Sequence, residues 1–244
     1  LTDFYYILPE LVLTVGALLV LIADVALPKS QRAALAWVTL LALGATAVSL
    51  LPFTSTRVEV AHGLMAVDQF ALFFKAVFLF AAAITVLMSV RYLALEGASP
   101  GEYYFLILCA TLGMMIMAGG IDLITIFIGL ETMAVSFYIL AGFIKPSQRS
   151  NEAAVKYFLL GAFSLGILLY GMSLMYGLSG TTNLRKMAPL LTAILSMFLA
   201  GVPVSDELVL ELARLVDDDP LATKLEDAYS RGTKVLALTL SDRD

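Results

Sequence analysis

Residues 121–143 read IDLITIFIGLETMAVSFYILAGF, and this run decides the fold. It holds only two ionisable side chains, Asp122 at its start and Glu131 near its middle. A helix needs about 20 mostly apolar residues, rising 1.5 Å each, to cross roughly 30 Å of hydrocarbon. Backbone polar groups find no water partner there, so a segment this long and this uniformly apolar is viable in lipid only as a helix. No alternating strand pattern competes with that reading.

Working outward, comparable runs predict further helices near 6–27, 33–51, 69–91, 103–119 and 153–177. Their breaks carry turn residues: Pro28 with Lys29 and Arg32, Pro52 through Asp68 with Arg57 and Glu59, Pro100-Gly101-Glu102, Gly119-Gly120, and Lys145-Pro146 through Arg149. The expected fold class is therefore all-α, a polytopic transmembrane bundle of six helices. Residues 187–203, at the short limit for a span, offer a seventh. Composition agrees: 60% of residues are apolar, 14% are charged and mean hydropathy is +0.92, far from the composition of soluble domains. The first apolar segment lacks a basic flank and a small-residue cleavage site, so it reads as an anchor rather than a signal peptide.

The net charge of −5 is confined to the end of the chain. Residues 1–203 balance ten acids with ten bases, whereas 204–244 hold ten acids and five bases. Two regions are expected: a transmembrane bundle over 1–203 and an acidic, soluble tail over 204–244, with a helix starting near Ser205, a turn at Asp217-Asp218-Asp219-Pro220 and an apolar stretch from Val235 to Leu240. The opening Leu1, and a helix start at Ser241-Asp242 with nothing after it, suggest an incomplete chain. Basic residues in alternate connectors place Lys29, Arg32, Arg91, Lys145 and Arg149 on one side against Arg57, Arg185 and Lys186 on the other, so the amino terminus is expected outside. No basic, aromatic-interleaved patch points to nucleic acid. Cys109 and His62 lack neighbours with which to share a metal.

An ionisable group deep in a spanning helix costs several kcal/mol unless it faces protein or water, which makes each one a functional candidate. Glu131 is the sharpest, about ten residues from either end of its run and too short to reach the interface. A carboxyl group favours its neutral form in hydrocarbon and its charged form beside a cation, so a glutamate moving between those surroundings takes up and releases a proton. The plainer alternative is packing between helices. Lys156, a turn into the sixth run, either snorkels or partners an acid on a neighbouring helix. Lys75 is expected to snorkel, and Asp24, Glu102 and Asp122 are expected at the interface or as caps. Gly161, Ala162, Ser164 and Gly166 are expected to let the sixth helix approach a neighbour closely.

Three motifs, Gly101-Glu102-Tyr103-Tyr104-Phe105-Leu106-Ile107-Leu108, Ile126-Phe127-Ile128-Gly129-Leu130-Glu131 and Asn151-Glu152-Ala153-Ala154-Val155-Lys156-Tyr157-Phe158, resemble the subunit N family of bacterial NADH-quinone oxidoreductase in order and spacing. Ile7-Leu8-Pro9-Glu10-Leu11 and Val67-Asp68-Gln69-Phe70 fit the same family, so the resemblance covers roughly residues 5–186. It implies an antiporter-like subunit of the complex I membrane arm, related to Mrp-type cation antiporters and multi-pass in the bacterial inner membrane. That subunit moves protons while electrons pass from NADH to quinone elsewhere. It implies no cofactor bound by this chain, since NADH, flavin, iron-sulfur clusters and quinone belong to other parts of the complex. Its implied partners are the other membrane subunits and the lipid bilayer. Glu131 matches the family's mid-membrane glutamate, and with Lys156 it forms the expected proton-translocating set. The lysine of a later, broken helix that answers the glutamate in the family has no counterpart here. Two other readings stay open: a Mrp-type antiporter subunit, and a non-conducting membrane anchor or assembly protein.

Overall fold

The structure is a computed structural model that describes residues 2–28, 34–54 and 56–199. The acidic segment from 204 onward, with its expected helix, turn and apolar stretch, lies outside the described residues. After a single-turn helix α1 (Thr2–Tyr6) come α2 (Leu8–Ala26), α3 (Ala34–Leu50), a short hairpin of β1 (Val58–Val60) and β2 (Met65–Val67), then α4 (Gln69–Glu96), α5 (Pro100–Gly119), α6 (Leu123–Ala141), α7 (Gln148–Ser179) and α8 (Leu184–Leu199). Helices α2 to α7 are each long and apolar enough to cross a membrane. Their outward faces carry the side chains that hydrocarbon requires, among them Val25, Trp37, Leu41, Phe80 and Leu95, all exposed. The chain is thus a multi-pass membrane protein.

Local chemistry sets the helix ends. Asp68 caps α4, its Oδ1 accepting from the Ala71 backbone N–H at 2.8 Å, and Gly97 ends that helix at φ 63°, a conformation glycine takes without penalty. Asp122 caps α6 by accepting from the N–H groups of Ile124 and Thr125. Pro100 opens α5 in the first turn, where its missing N–H goes unneeded. Three helices run beyond the expected bounds: α4 extends to Glu96, α5 starts at Pro100 and α7 starts at Gln148. Polar side chains at these ends hide the continuation from a hydropathy reading.

The chain divides into two compact units, 1–167 and 168–244. In the first, α5 is central and packs on α2, α3, α4 and α6. Its core includes Leu13, Val20, Leu35, Val86, Leu108 and Met115, none with measurable exposure. Where α5 crosses α6 the backbones touch: a Cβ placed on Gly113 would lie 2.5 Å from the Gly129 carbonyl oxygen and 2.6 Å from the Met133 nitrogen. In lipid, burial of apolar surface gives no drive between helices, so close approach of small residues supplies the attraction. Within the second unit, Asn183 Oδ1 accepts from the Arg185 and Lys186 N–H groups and so starts α8, which at 16 residues is shorter than the six helices able to cross a membrane.

The hairpin is a departure from the sequence reading, which has no strand. Val58 pairs with Val67 and Val60 with Met65, strands too short for a two-residue period to register. Met65 also bridges to Gly120, and the Ile121 N–H donates to the Leu64 carbonyl at 3.1 Å, so the second connector lies over the α5–α6 turn on one face. Phe53, Val60 and Val67 form a small core beneath it with Tyr6 and Ile7. On the opposite face, Ser99 Oγ donates to Asp24 Oδ2 at 3.3 Å.

Replacing Gly113 with Leu must push α5 and α6 apart, an overpacking that costs about 1–3 kcal/mol. The expected outcome is a clearly lowered unfolding temperature in detergent. Gly166→Ala, where an added Cβ meets nothing within 4 Å, should leave that temperature unchanged or raised; equal effects would refute the contact.

Candidate functional site

Glu131 sits midway along α6, two residues past the Gly129 contact with α5. It is partly buried, and its Oε1 is inaccessible and accepts no hydrogen bond among the described residues. Neighbouring hydroxyls do not serve it. Thr132 Oγ1 donates to the Ile128 carbonyl and Ser136 Oγ to the Thr132 carbonyl, both at 2.8 Å within the same helix. Two turns on, Tyr138 meets the rings of Tyr157 and Phe158 on α7 edge to face, at 4.9 and 5.7 Å. Gly161 lies directly against the Tyr138 hydroxyl, where a Cβ would overlap it. The expected close approach of the sixth run therefore holds at Gly161, whereas Gly166 faces open space.

Lys156 does not meet Glu131. Its Nζ pairs with Glu152 of its own helix, four residues back, with both side chains largely exposed at 70% and 59%. Of the two alternatives for this lysine, partnership with an acid on another helix is not what the structure shows.

Lys75 corrects the expectation that it snorkels. It is 2% exposed, and its Nζ lies 2.6 Å from Glu10 Oε1, joining α4 to α2. The contact is an ion pair by distance without hydrogen-bond alignment, because neither carboxylate oxygen of Glu10 has a hydrogen-bond partner among the described residues. The Lys75 ammonium also lies at the carboxyl end of α5, 3.6 Å from where a Gly119 Cβ would stand, and the negative end of a helix favours a cation. Sequence reasoning took Glu10 as part of a motif and Lys75 as a lone charge. The signal that pairs them is depth: each lies within two turns of the amino end of its helix, on helices that are two spans apart and so run in the same direction, and each is uncompensated alone.

The remaining acids are accounted for. Asp122 is buried as the α6 cap. Asp24 is also buried, rather than interfacial as expected, packed where a Cβ on Gly101 would overlap it and bonded by Ser99. Glu102, in the first turn of α5, is exposed. Among the described residues Glu131 thus differs from Glu10 and Asp122 in having neither a cation nor a donor on its buried oxygen.

Comparison with known proteins bears on this site. Residues 120–205, which include Glu131 and Lys156, match the family described as NADH:quinone oxidoreductase/Mrp antiporter, TM. NADH-quinone oxidoreductase subunit N of Trichlorobacter lovleyi is 45% identical over 188 residues, covering 77% of this chain and 39% of that protein. Subunit N 1 of Koribacter versatilis is 46% identical over 197 residues, with the same coverage of each. Respiratory complex I from Thermus thermophilus contains a chain that superposes with a TM-score of 0.60 at 29% identity, over 85% of this chain and 42% of that one. The chain spans about two fifths of the length of the curated relatives it matches.

Removing one partner of a buried ion pair leaves an uncompensated charge and costs about 3–5 kcal/mol, whereas replacing both is often neutral. Lys75→Met should therefore lower the thermal midpoint markedly, and adding Glu10→Gln should recover most of the loss. A double variant as unstable as the single one would show that the pair is not the reason for their burial.

Proposed function

The chain belongs, over the stretch it shares with its relatives, to the subunit N family of NADH-quinone oxidoreductases, and from that premise we propose that it serves as a proton-translocating subunit of the membrane arm of such a complex. In this role it sits in the bacterial plasma membrane beside other membrane subunits. NADH oxidation, flavin, iron-sulfur clusters and quinone reduction lie elsewhere in the assembly, and this chain carries none of those cofactors.

One observation supports Glu131 as the proton carrier: a carboxylate oxygen buried in the middle of a spanning helix, inside the matched segment, with no hydrogen-bond donor among the described residues. A group so placed is costly as a fixed charge. It becomes economical when it is neutral for part of a cycle and compensated for the rest. Tyr138, on the same side of α6 and wedged against α7, is placed to sense that change through the ring cluster it shares with Tyr157 and Phe158. Lys156, exposed beside Glu152 near one end of α7, then acts as a mobile cation at the mouth of the path rather than as the partner of Glu131.

The Mrp-type reading shares the matched family description and places Glu131 in the same role. The relatives' names favour the oxidoreductase, and co-purification with NADH dehydrogenase activity separates the two.

In the assembled complex, Glu131→Gln should leave the complex intact while proton pumping falls about a hundredfold or more, the low end of what loss of a proton-transferring side chain costs. Pumping at the wild-type rate would instead leave Glu131 a packing residue and favour the anchor reading. Lys156→Ala should slow pumping with little change in thermal stability, because an exposed i,i+4 pair contributes only about 0.5 kcal/mol.

A further inference from the structure

Between α3 and α4 the bundle leaves an apolar groove of about 420 Å³. Its lining includes small residues on both walls, Gly44 and Ala47 from α3, Ala76 and Ala83 from α4. A Cβ added to Gly44 would meet nothing within 4 Å. Leu51 and Phe80, at 64% and 68% exposure, flank it as parts of the lipid-facing surface.

Length and position identify what fits. The walls run from Leu40 to Leu51 on α3 and from Leu72 to Ala83 on α4, about 16 Å on each at 1.5 Å per residue. That is close to half the roughly 30 Å hydrocarbon thickness. The groove starts at the hairpin connector and stops near the middle of both helices, so it spans one leaflet and not the whole membrane. Apolar walls exclude water. A helix from another protein would need a face along the full span, whereas one chain of a lipid has the reach and breadth of this groove.

The interfacial end is polar. Thr54 lines it, and Arg57, exposed, follows three residues later, within about 10 Å by chain length. A guanidinium matches phosphate with two parallel hydrogen bonds. Glu59 stands on the same connector, so discrimination rests on the phosphate rather than on headgroup net charge. We propose that the α3–α4 groove seats one phospholipid, its acyl chain against Gly44 and its phosphate on Arg57. An isoprenoid quinone tail shares the apolar chemistry but offers Arg57 no phosphate.

The test places the full chain in nanodiscs of phosphatidylethanolamine and phosphatidylglycerol, extracts it into mild detergent and counts retained lipid by native mass spectrometry. One phospholipid per chain is expected. Gly44→Leu, which fills the groove, and Arg57→Ala, an exposed connector change, should each cut retention about tenfold, the size of one charge-assisted contact. Leu41→Ala, on the exposed side of α3, should retain it fully. No retained phospholipid in the parent chain, retention undiminished in both groove variants, or an isoprenoid quinone recovered in its place would each overturn the proposal.

Discussion

Hydrocarbon accepts no hydrogen bonds, and that single fact organises this molecule. It turns every backbone segment of 121–143 type into a helix, and it forces each ionisable side chain to the end of a helix, onto a cap or into a pair. Asp68 and Asp122 go to caps, and Asp24 goes to the Ser99 turn at the start of α5. Glu10, in the first turn of α2, and Lys75, two turns into α4, are both buried and meet each other and the carboxyl end of α5. Once these are placed, Glu131 remains mid-helix with a buried oxygen that has neither cation nor donor among the described residues.

The same solvent alters what holds the helices together. Apolar side chains gain little by leaving lipid for protein, so attraction depends on how closely two backbones can approach. At Gly113 against Gly129 they touch, and at Gly16 a Cβ would lie 2.6 Å from that of Ala42. The first joins α6 to α5, the helix that packs on α2, α3, α4 and α6, and the second joins α2 to α3. The resulting rigidity matters for Glu131, because Gly129 fixes the α6 backbone two residues before it. Between α3 and α4 the small residues instead leave a groove, since Gly44 faces no partner.

Much of this was legible in the residues. Six spans follow from apolar length alone, and Glu131 stood out because a carboxylate in the centre of such a run has no cheap explanation. Other features depend on pairing between distant positions, which a linear reading does not contain. Lys75 taken alone looks like a snorkelling lysine; only with α2 beside α4 does its compensation by Glu10 appear. Strands β1 and β2 are three residues each, too short to show alternation, and they exist because Leu64 and Met65 find partners at Gly120 and Ile121. Asp24, close to a helix end, gave no sign of burial, which depends on Gly101 admitting it.

Two glutamates in one bundle illustrate how surroundings divide fixed charge from working charge. Glu10 has a cation at 2.6 Å and a helix terminus behind that cation, so removing its carboxylate would strand Lys75 in a site 2% exposed. The pair is held by the cost of breaking it. Glu131 has no such counterweight among the described residues, and Lys156 is turned to Glu152 instead. A change at Glu131 therefore disturbs no ion pair among the described residues. That difference, more than the depth of the residue, is the physical reason to propose Glu131 for proton movement and to assign structural duty to the junction of α2 and α4.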